Sequence, residues 1–167
     1  FSQSGQSPDL VAPQQFFRQG GARTVAIVND AASPLAQAVQ WVLPLHAGPE
    51  QSVAATKSYV AQLVAGARLV AHWQADASLL RALEALPDAL ERAAWLDWQP
   101  MVGALVDADR LFVIGRGLGL AVAMEAALKF KEVCGIQAEG FSAAEVQHGP
   151  MALVEPGFPL LVLAPAG

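Results

Sequence analysis

The chain has 167 residues, of which 54% are hydrophobic and 15% are charged, and its formal net charge at pH 7 is −5. This length suffices for an ordinary domain with a sizeable core, and the acidic balance argues against nucleic acid or an anionic membrane as a partner. The apolar stretch at 53–73 is interrupted by Lys57 and Arg68, so it predicts no membrane span, and the chain opens without a secretory signal pattern.

The first half of the chain alternates short apolar runs with helical segments. Phe1 is predicted to end a strand, and the polar loop after it leads into a helix that has Pro8 in its first turn. Pro13 is expected to kink that helix or to delay its start. The elements predicted next are a strand at 24–28, a short helix that opens at Ser33, a strand at 41–45 and a long helix at about 52–73.

The second half continues this alternation. Its predicted elements are two connecting helices between about 77 and 106, broken near Pro87, a strand at 111–114, a helix at about 118–133, and strands at 137–141 and 160–163. Strands that alternate with helices predict an α/β fold with a parallel sheet flanked by helices.

The chain contains a single cysteine, Cys134. One cysteine cannot form an internal disulfide, which predicts a reducing compartment and hence a cytoplasmic protein. Because Cys134 follows an apolar helical segment, we expect it to be a small core residue.

The polar loop at 2–7 has the composition of an anion site. It offers hydroxyl, amide and backbone N–H groups, Gly5 lets the backbone approach an anion closely, and the dipole of the following helix adds partial positive charge. A neutral cradle of this kind suits a phosphate group in an acidic chain. A serine-rich helix N-cap is the alternative, and the residues alone leave both open. The candidate phosphate ligands are Ser2, Gln3, Ser4 and Ser7.

A glycine-rich turn follows the predicted strand at 111–114. The run Gly115-Arg116-Gly117-Leu118-Gly119 suggests a dinucleotide-binding fingerprint. The third glycine position of that fingerprint falls on Leu120, which is neither Gly nor Ala, so the motif fails and a nucleotide site is rejected.

Charged side chains form a stripe on the predicted helix at 118–133. Glu125, Lys129 and Glu132 stand at i, i+4 and i+7, whereas Lys131 points elsewhere. Further along, His148 precedes a Gly-Pro pair. Carboxylate, ammonium and imidazole together can move a proton next to a carbonyl. On spacing alone, however, a surface ion pair and a structural loop histidine are the favoured interpretations.

The order of these motifs resembles that of the sugar-isomerase (SIS) domain family. Residues 125–150 resemble the second SIS domain of the isomerase half of glucosamine-6-phosphate synthase, and of stand-alone aminosugar-6-phosphate deaminases and deglycases. Residues 2–7 resemble the phosphate loop of the first SIS domain, and residues 47–57 resemble the segment that closes it. The resemblance implies a flavodoxin-like or Rossmann-like three-layer fold.

The resemblance covers parts of two domains. Residues 1–74 resemble the later half of a first SIS domain, and residues 75–167 resemble linker helices and the earlier half of a second one. We therefore expect the chain to be a partial segment of a double-SIS protein. The C-terminal lysine with which the family can form a Schiff base lies beyond Gly167.

The resemblance also implies roles for individual residues. Glu132 corresponds to the base that moves a proton between C1 and C2, Lys129 to the cation that stabilises the oxyanion, and His148 to the ring-opening residue. The other implied roles are phosphate binding by Ser2, Gln3, Ser4 and Ser7, a backbone contact to substrate from Val53, and support of the site by Glu125 and Glu145. Ala55 stands where the synthase has Ser, which removes one polar sugar contact. His46 and His72 match no motif and are expected to be structural.

The implied substrate is a hexose or hexosamine 6-phosphate, and no cofactor or metal is implied. In the family, the loop that corresponds to the one carrying His148 completes the active site of the neighbouring subunit. We therefore expect a homodimer with shared active sites. The preferred function is an isomerase and deaminase that converts glucosamine 6-phosphate to fructose 6-phosphate and ammonia through an enediol or enolamine. The first alternative is the isomerase part of glucosamine-6-phosphate synthase, which a glutaminase domain upstream would indicate. The second is a regulatory sugar-phosphate-binding module, against which the retention of Glu132, Lys129 and His148 weighs.

Overall fold

A computed structural model describes residues 1–164 of the chain. The chain divides into two compact units, with the boundary between Trp95 and Leu96. Each unit has its own parallel sheet and its own hydrophobic core. The assignment of residues 1–74 and 75–167 to halves of two SIS domains stays a prediction.

The first unit is built on two parallel strands. In chain order its elements are α1 (Pro8–Gln19), β1 (Val25–Val28), α2 (Pro34–Ala38), β2 (Trp41–Pro44), α3 (Lys57–Trp73), α4 (Ala77–Glu84) and α5 (Leu86–Ala94). In the β1–β2 pair, Val25 lies opposite Trp41. Ser2 adds an isolated parallel bridge to Val28, where the sequence predicted a strand ending at Phe1.

The core of the first unit lies between β1 and α2. Its buried members are Ala26, Val28, Leu35, Ala36 and Val39, with the partly buried Val11 and Val42 packed against them. α2 begins where predicted, because the Ser33 hydroxyl accepts a hydrogen bond from the Ala36 N–H at 3.3 Å and so caps the helix. α1 begins at Pro8 and continues through Pro13, so Pro13 does not delay its start.

The start of α3 differs from the prediction. The sequence predicted a helix from about residue 52, which is wrong, since α3 begins at Lys57. The Glu50 carboxylate accepts hydrogen bonds from the N–H groups of Thr56 at 3.0 Å and Ser58 at 3.1 Å. An acidic side chain that caps the first amides of a helix fixes where the helix begins. Residues 51–55 therefore form a loop.

The connecting region has three helices instead of the predicted two, because α6 (Gln99–Leu105) follows α4 and α5. The break near Pro87 was predicted correctly, and Pro87 lies in the first turn of α5. A second break follows α5, and α6 again has a proline in its first turn. Proline is tolerated there because the first helical N–H groups have no partner within the helix.

The second unit is a three-stranded parallel sheet with the strand order β4-β3-β5. Its elements after α6 are β3 (Arg110–Gly115), α7 (Leu118–Lys129), a π-helical turn (Phe130–Cys134), β4 (Gln137–Ser142), two 3₁₀ turns (Glu145–Gln147 and Pro150–Leu153) and β5 (Leu160–Val162). β3 pairs with both neighbours, and its Phe112 lies opposite Glu139 of β4 and Leu160 of β5.

The helix α7 packs closely on this sheet. The core residues are Leu111, Val113, Ala123, Ala127 and Ala138. At Gly140 of β4 a Cβ atom would lie only 2.8 Å from the Cα of Met124, so glycine allows the helix backbone to approach the strand. This closely packed helix carries Glu125 and Lys129 of the predicted charged stripe, and the π-helical turn that follows carries Glu132.

Cys134 does not have the predicted environment, because it is exposed. Ala127 is buried on α7, and an α-helix returns nearly to the same face after seven residues, which would bury Cys134. The backbone instead forms a π-helical turn from Phe130 to Cys134, and such a turn holds more residues than an α-helical one. The prediction of a core cysteine was therefore wrong.

The predicted α/β class, with parallel sheets flanked by helices, is confirmed. The predicted strand ends differ from the observed ends of β1 to β5 by one residue at most. Among the described residues, no helix combines the length and apolar character needed to cross a membrane.

Candidate active site

The loop at 2–7 is fixed by its own backbone and by β1. The Ser2 N–H donates to the Ile27 carbonyl at 3.0 Å, and the Gly5 N–H donates to the Ser2 hydroxyl oxygen at 3.0 Å. Gly5 has a φ of +62° and lies against Ser33, where a Cβ atom would clash with the Ser33 side chain. The loop therefore needs glycine at this position to pack on the start of α2.

The serine hydroxyls of this loop remain able to donate. Ser2 Oγ and Ser4 Oγ accept hydrogen bonds from the N–H groups of Gly5 and Gln6, and a hydroxyl that accepts a bond still carries its own proton. Ser7 is the N-cap residue of α1, and its side chain bonds to none of the helix amides that the structure describes. The half-buried residues of the loop are Ser2, Gln3, Ser4 and Ser7. This loop can offer hydroxyl protons and a helix N-terminus to an anion.

The loop at 51–55 carries the predicted substrate contact, Val53. Val53 is 95% exposed, so its backbone is accessible to solvent. The loop is closed by Glu50, whose carboxylate holds the first amides of α3. The hydrogen bond from the Thr56 N–H is the largest of the effects that lower the pKa of Glu50 below its ordinary value.

The predicted charged stripe is present on α7 and the π-helical turn. Lys129 Nζ lies 2.7 Å from Glu132 Oε2 and 3.1 Å from Glu125 Oε1. The three side chains are only 20–26% exposed. The hydrogen bond to Glu132, followed by that to Glu125, raises the pKa of Lys129 above its ordinary value, although partial burial opposes this. The cluster therefore combines one ammonium with two carboxylates.

The loop that carries His148 is held by a reciprocal pair of hydrogen bonds. The Ser142 N–H donates to Glu145 Oε2 and the Glu145 N–H donates to Ser142 Oγ, both at 3.1 Å. The Ser142 side chain, followed by its N–H, lowers the pKa of Glu145. This capping box at the start of a 3₁₀ turn gives Glu145 a supporting role in the loop.

His148 follows that turn and is exposed. Its N–H donates to the Glu145 carbonyl at 2.9 Å, but its imidazole has no hydrogen-bond or ion-pair partner among residues 1–164. Gly149 has a φ of +129°, which favours glycine directly after the histidine. The imidazole is thus free to meet a ligand or a second chain.

The structure brings together only part of the predicted residue set. Glu125, Lys129 and Glu132 form one bonded cluster, whereas no hydrogen bond or ion pair joins His148 to that cluster within the described chain. Ser2, Gln3, Ser4, Ser7 and Val53 belong to the first unit, and the charged cluster, Glu145 and His148 belong to the second.

Sequence reasoning missed Glu50 and Ser142. The Ser-x-x-Glu spacing of Ser142 and Glu145 is the signature of a capping box and could have predicted their pairing. Glu50 precedes the start of α3 by too many residues to match any local capping pattern, so its role depends on the loop geometry. No group of three or more His, Cys, Asp or Glu side chains that could hold a metal ion occurs in the part of the chain that the structure describes.

Comparison with known proteins gives one family. The SIS domain family profile matches residues 1–71 and 104–167 of this chain. Over 99% of its length the chain is 39% identical to the glutamine–fructose-6-phosphate aminotransferase [isomerizing] of Zymomonas mobilis, of which it spans 29%. The chain therefore covers well under half of that relative.

Two solved structures have the same fold. The chain superposes on half of a candidate phosphosugar isomerase from Silicibacter pomeroyi DSS-3, with 51% identity, a TM-score of 0.91 and 97% of this chain covered. It also superposes on half of the C-terminal domain of glucosamine-fructose-6-phosphate aminotransferase from Francisella tularensis, with 28% identity, a TM-score of 0.84 and 99% of this chain covered.

Proposed function

The chain belongs to the SIS domain family, and on that premise we propose that it supplies part of a phosphosugar isomerase that acts on an aminosugar 6-phosphate. In the proposed reaction, the open-chain aldehyde of glucosamine 6-phosphate loses the proton on C2 and forms an enolamine. A proton returned to C1 gives an imine at C2. Water then adds to the imine carbon and ammonia leaves, which yields fructose 6-phosphate.

The observation that carries this proposal is the position of Lys129 between two carboxylates, 2.7 Å from Glu132 and 3.1 Å from Glu125. Glu132 is the proposed base, because a carboxylate beside both carbons can take the proton from C2 and return it to C1. The Lys129 ammonium is the proposed partner of the negative charge that develops on O1 in the enolamine.

The loop at 2–7 is the proposed phosphate site. The hydroxyls of Ser2 and Ser4 keep their protons for donation, and α1 begins directly after the loop. Hydroxyl and amide donors can bind a phosphate dianion without side-chain cations, which suits a chain with a net charge of −5. Gln3 and Ser7 are the other proposed ligands, and the backbone of Val53 is the proposed contact to the sugar.

His148 is the proposed ring-opening residue. Its imidazole is exposed and has no partner within residues 1–164, so it is available to a sugar in another subunit. We therefore propose a homodimer in which each His148 loop completes the partner's active site. Exposed apolar side chains on α7 support burial of part of this helix in a larger assembly. They are Leu118, Val122, Met124 and Leu128. We also propose a cytoplasmic location, which a single unpaired cysteine supports.

A second candidate function is favoured by the similarity to the Zymomonas mobilis aminotransferase. In that case the same cluster would isomerise a fructose 6-phosphate imine, and the ammonia would come from glutamine. The isomerisation step runs through the same residues in both functions. Only the source or fate of the ammonia differs.

The experiment that tests the proposal uses the full-length protein that contains this chain. It is incubated with glucosamine 6-phosphate, or with fructose 6-phosphate and either ammonium or glutamine, and the sugars are followed by NMR. Conversion of glucosamine 6-phosphate to fructose 6-phosphate and ammonia supports the deaminase. Synthesis of glucosamine 6-phosphate from fructose 6-phosphate with glutamine, but not with ammonium, supports the second candidate. The absence of any interconversion of the two sugars contradicts both.

A further inference from the structure

The segment between β2 and α3 is tied down at its start. The side chain of Asn29, which follows β1, accepts the Ala47 N–H at 3.0 Å and donates to the Gly48 carbonyl at 2.8 Å. Lys57 Nζ, from the first turn of α3, donates to the Pro49 carbonyl at 2.7 Å. The backbone entering the 51–55 loop is therefore held by two side chains.

Glu50 ties the far end of the same loop. Its two carboxylate oxygens accept one hydrogen bond each, Oε2 from the Thr56 N–H and Oε1 from the Ser58 N–H. A single side chain at the beginning of the loop therefore fixes the backbone at its end. Charge-assisted hydrogen bonds of this type are about twice as strong as neutral ones.

The loop between these ties has unpaired backbone donors. The N–H groups of Gln51, Ser52, Val53 and Ala55 have no hydrogen-bond partner within residues 1–164. The exposure of Val53 is 95%, whereas the neighbouring Ala54 is 8% exposed and anchors the loop. Unpaired main-chain donors on a held loop are available to the oxygens of a ligand.

We propose that Glu50 is a positioning residue that holds the 51–55 loop in the shape in which the backbone amides of the loop bind the hydroxyl oxygens of the sugar phosphate. This role of Glu50 rests on the function proposed above. Glu50 does not touch the sugar and acts only through the loop. A loop that is already ordered does not lose conformational freedom when the sugar binds. The two hydrogen bonds to Glu50 therefore increase the affinity for the sugar phosphate.

The closure needs a carboxylate. Glutamine has the same length, but its NH2 group cannot accept a hydrogen bond from a backbone N–H. With one amide on each side-chain terminal atom, as observed for Glu50, glutamine can hold only one of the two amides. Alanine can hold neither. The three side chains therefore form a graded series in which binding follows the number of amides held.

The experiment compares Glu50→Ala and Glu50→Gln in the full-length protein, with Glu84→Ala as the matched control, because Glu84 is an exposed carboxylate at the end of α4. Hydrogen exchange of the Thr56 and Ser58 amides reports the closure directly. Calorimetry with fructose 6-phosphate gives Kd, and steady-state kinetics give KM and kcat.

The expected result for Glu50→Ala is faster exchange at both amides and an increase of Kd and KM of roughly tenfold, with kcat preserved within about twofold. Glu50→Gln should lie between Glu50→Ala and wild type, and Glu84→Ala should equal wild type. Unchanged exchange of the Thr56 and Ser58 amides in Glu50→Ala would show that Glu50 does not hold the end of the loop. Faster exchange with an unchanged Kd would overturn the positioning role.

This design separates the inference from the proposed function. If the wild-type protein binds fructose 6-phosphate but isomerises nothing, the function fails, and the Kd series still decides the role of Glu50. If Glu50→Ala does not fold, Glu50→Gln decides the question. Faster exchange at one of the two amides in Glu50→Gln, together with a wild-type Kd, would overturn the inference.

Discussion

Lys129 Nζ donates a 2.7 Å hydrogen bond to Oε2 of Glu132, and this pair joins the last residue of α7 to the π-helical turn that follows it. The proposed base and the proposed partner of the oxyanion therefore share one turn of the backbone. Because α7 packs closely on β3 and β4, the pair is carried by a rigid element. Rigid support is what a preorganised site requires.

Loss of hydroxyls from the loop at 2–7 should weaken substrate binding. Each of Ser2→Ala and Ser4→Ala removes one proposed donor to the phosphate dianion, and the expected cost is about 1.5–3 kcal/mol per charge-assisted hydrogen bond. Calorimetry with fructose 6-phosphate measures the loss. Ser78→Ala, on the exposed face of α4, is the control that should bind like wild type. Wild-type affinity in Ser2→Ala and Ser4→Ala, with the fold intact, would remove the loop from the site.

Shared active sites predict complementation between two inactive variants. Glu132→Gln and His148→Ala should each be inactive alone. In randomly mixed dimers about half the dimers are hybrids with one intact site in two, so activity should return to about a quarter of wild type. The measurement is turnover after the two variants are unfolded together and refolded, compared with each variant treated alone. A fully active monomer, or no recovery in verified hybrids, would contradict shared sites.

Two glycine substitutions should have opposite effects on stability, one where α7 approaches β4 and one in the open α6. Gly140→Ala would place a Cβ atom 2.8 Å from the Met124 Cα, a backbone atom that cannot move aside locally. It should lower the free energy of unfolding by about 1–3 kcal/mol, as overpacking does. Gly103→Ala in α6 meets no atom within 4 Å and should raise stability by about 0.5–1 kcal/mol, because alanine favours a helix. Urea denaturation of the two variants checks both signs.

The sequence predicted those features that depend on local pattern. The strands follow from short apolar runs, and the contact of Lys129 with Glu125 and Glu132 follows from helical spacing. The start of α3 could not be predicted in this way, because it depends on Glu50 reaching amides six and eight residues later. The exposure of Cys134 depends on a π-helical turn, for which the apolar pattern has no signal.

The two carboxylates that flank Lys129 should differ sharply in their effect on catalysis. Glu132→Gln keeps the shape and one hydrogen-bond acceptor but cannot take up a proton. It should lower kcat by about 10²–10⁴-fold with little change in KM, as removal of a general base does. Glu125→Gln is the matched control, since Glu125 also bonds to Lys129, at 3.1 Å, but is expected only to support the site. Its kcat should remain well above that of Glu132→Gln.

Solvent exchange provides the decisive measurement for this pair. In deuterium oxide, the C2 hydrogen of the substrate should exchange in the wild type and in Glu125→Gln, and exchange should vanish in Glu132→Gln, as followed by NMR. Because exchange requires only removal and return of the C2 proton of the open-chain sugar, it reports the base independently of ammonia release. Exchange at the wild-type rate in Glu132→Gln would show that another group is the base. Glu132 would then serve only as the ion-pair partner of Lys129.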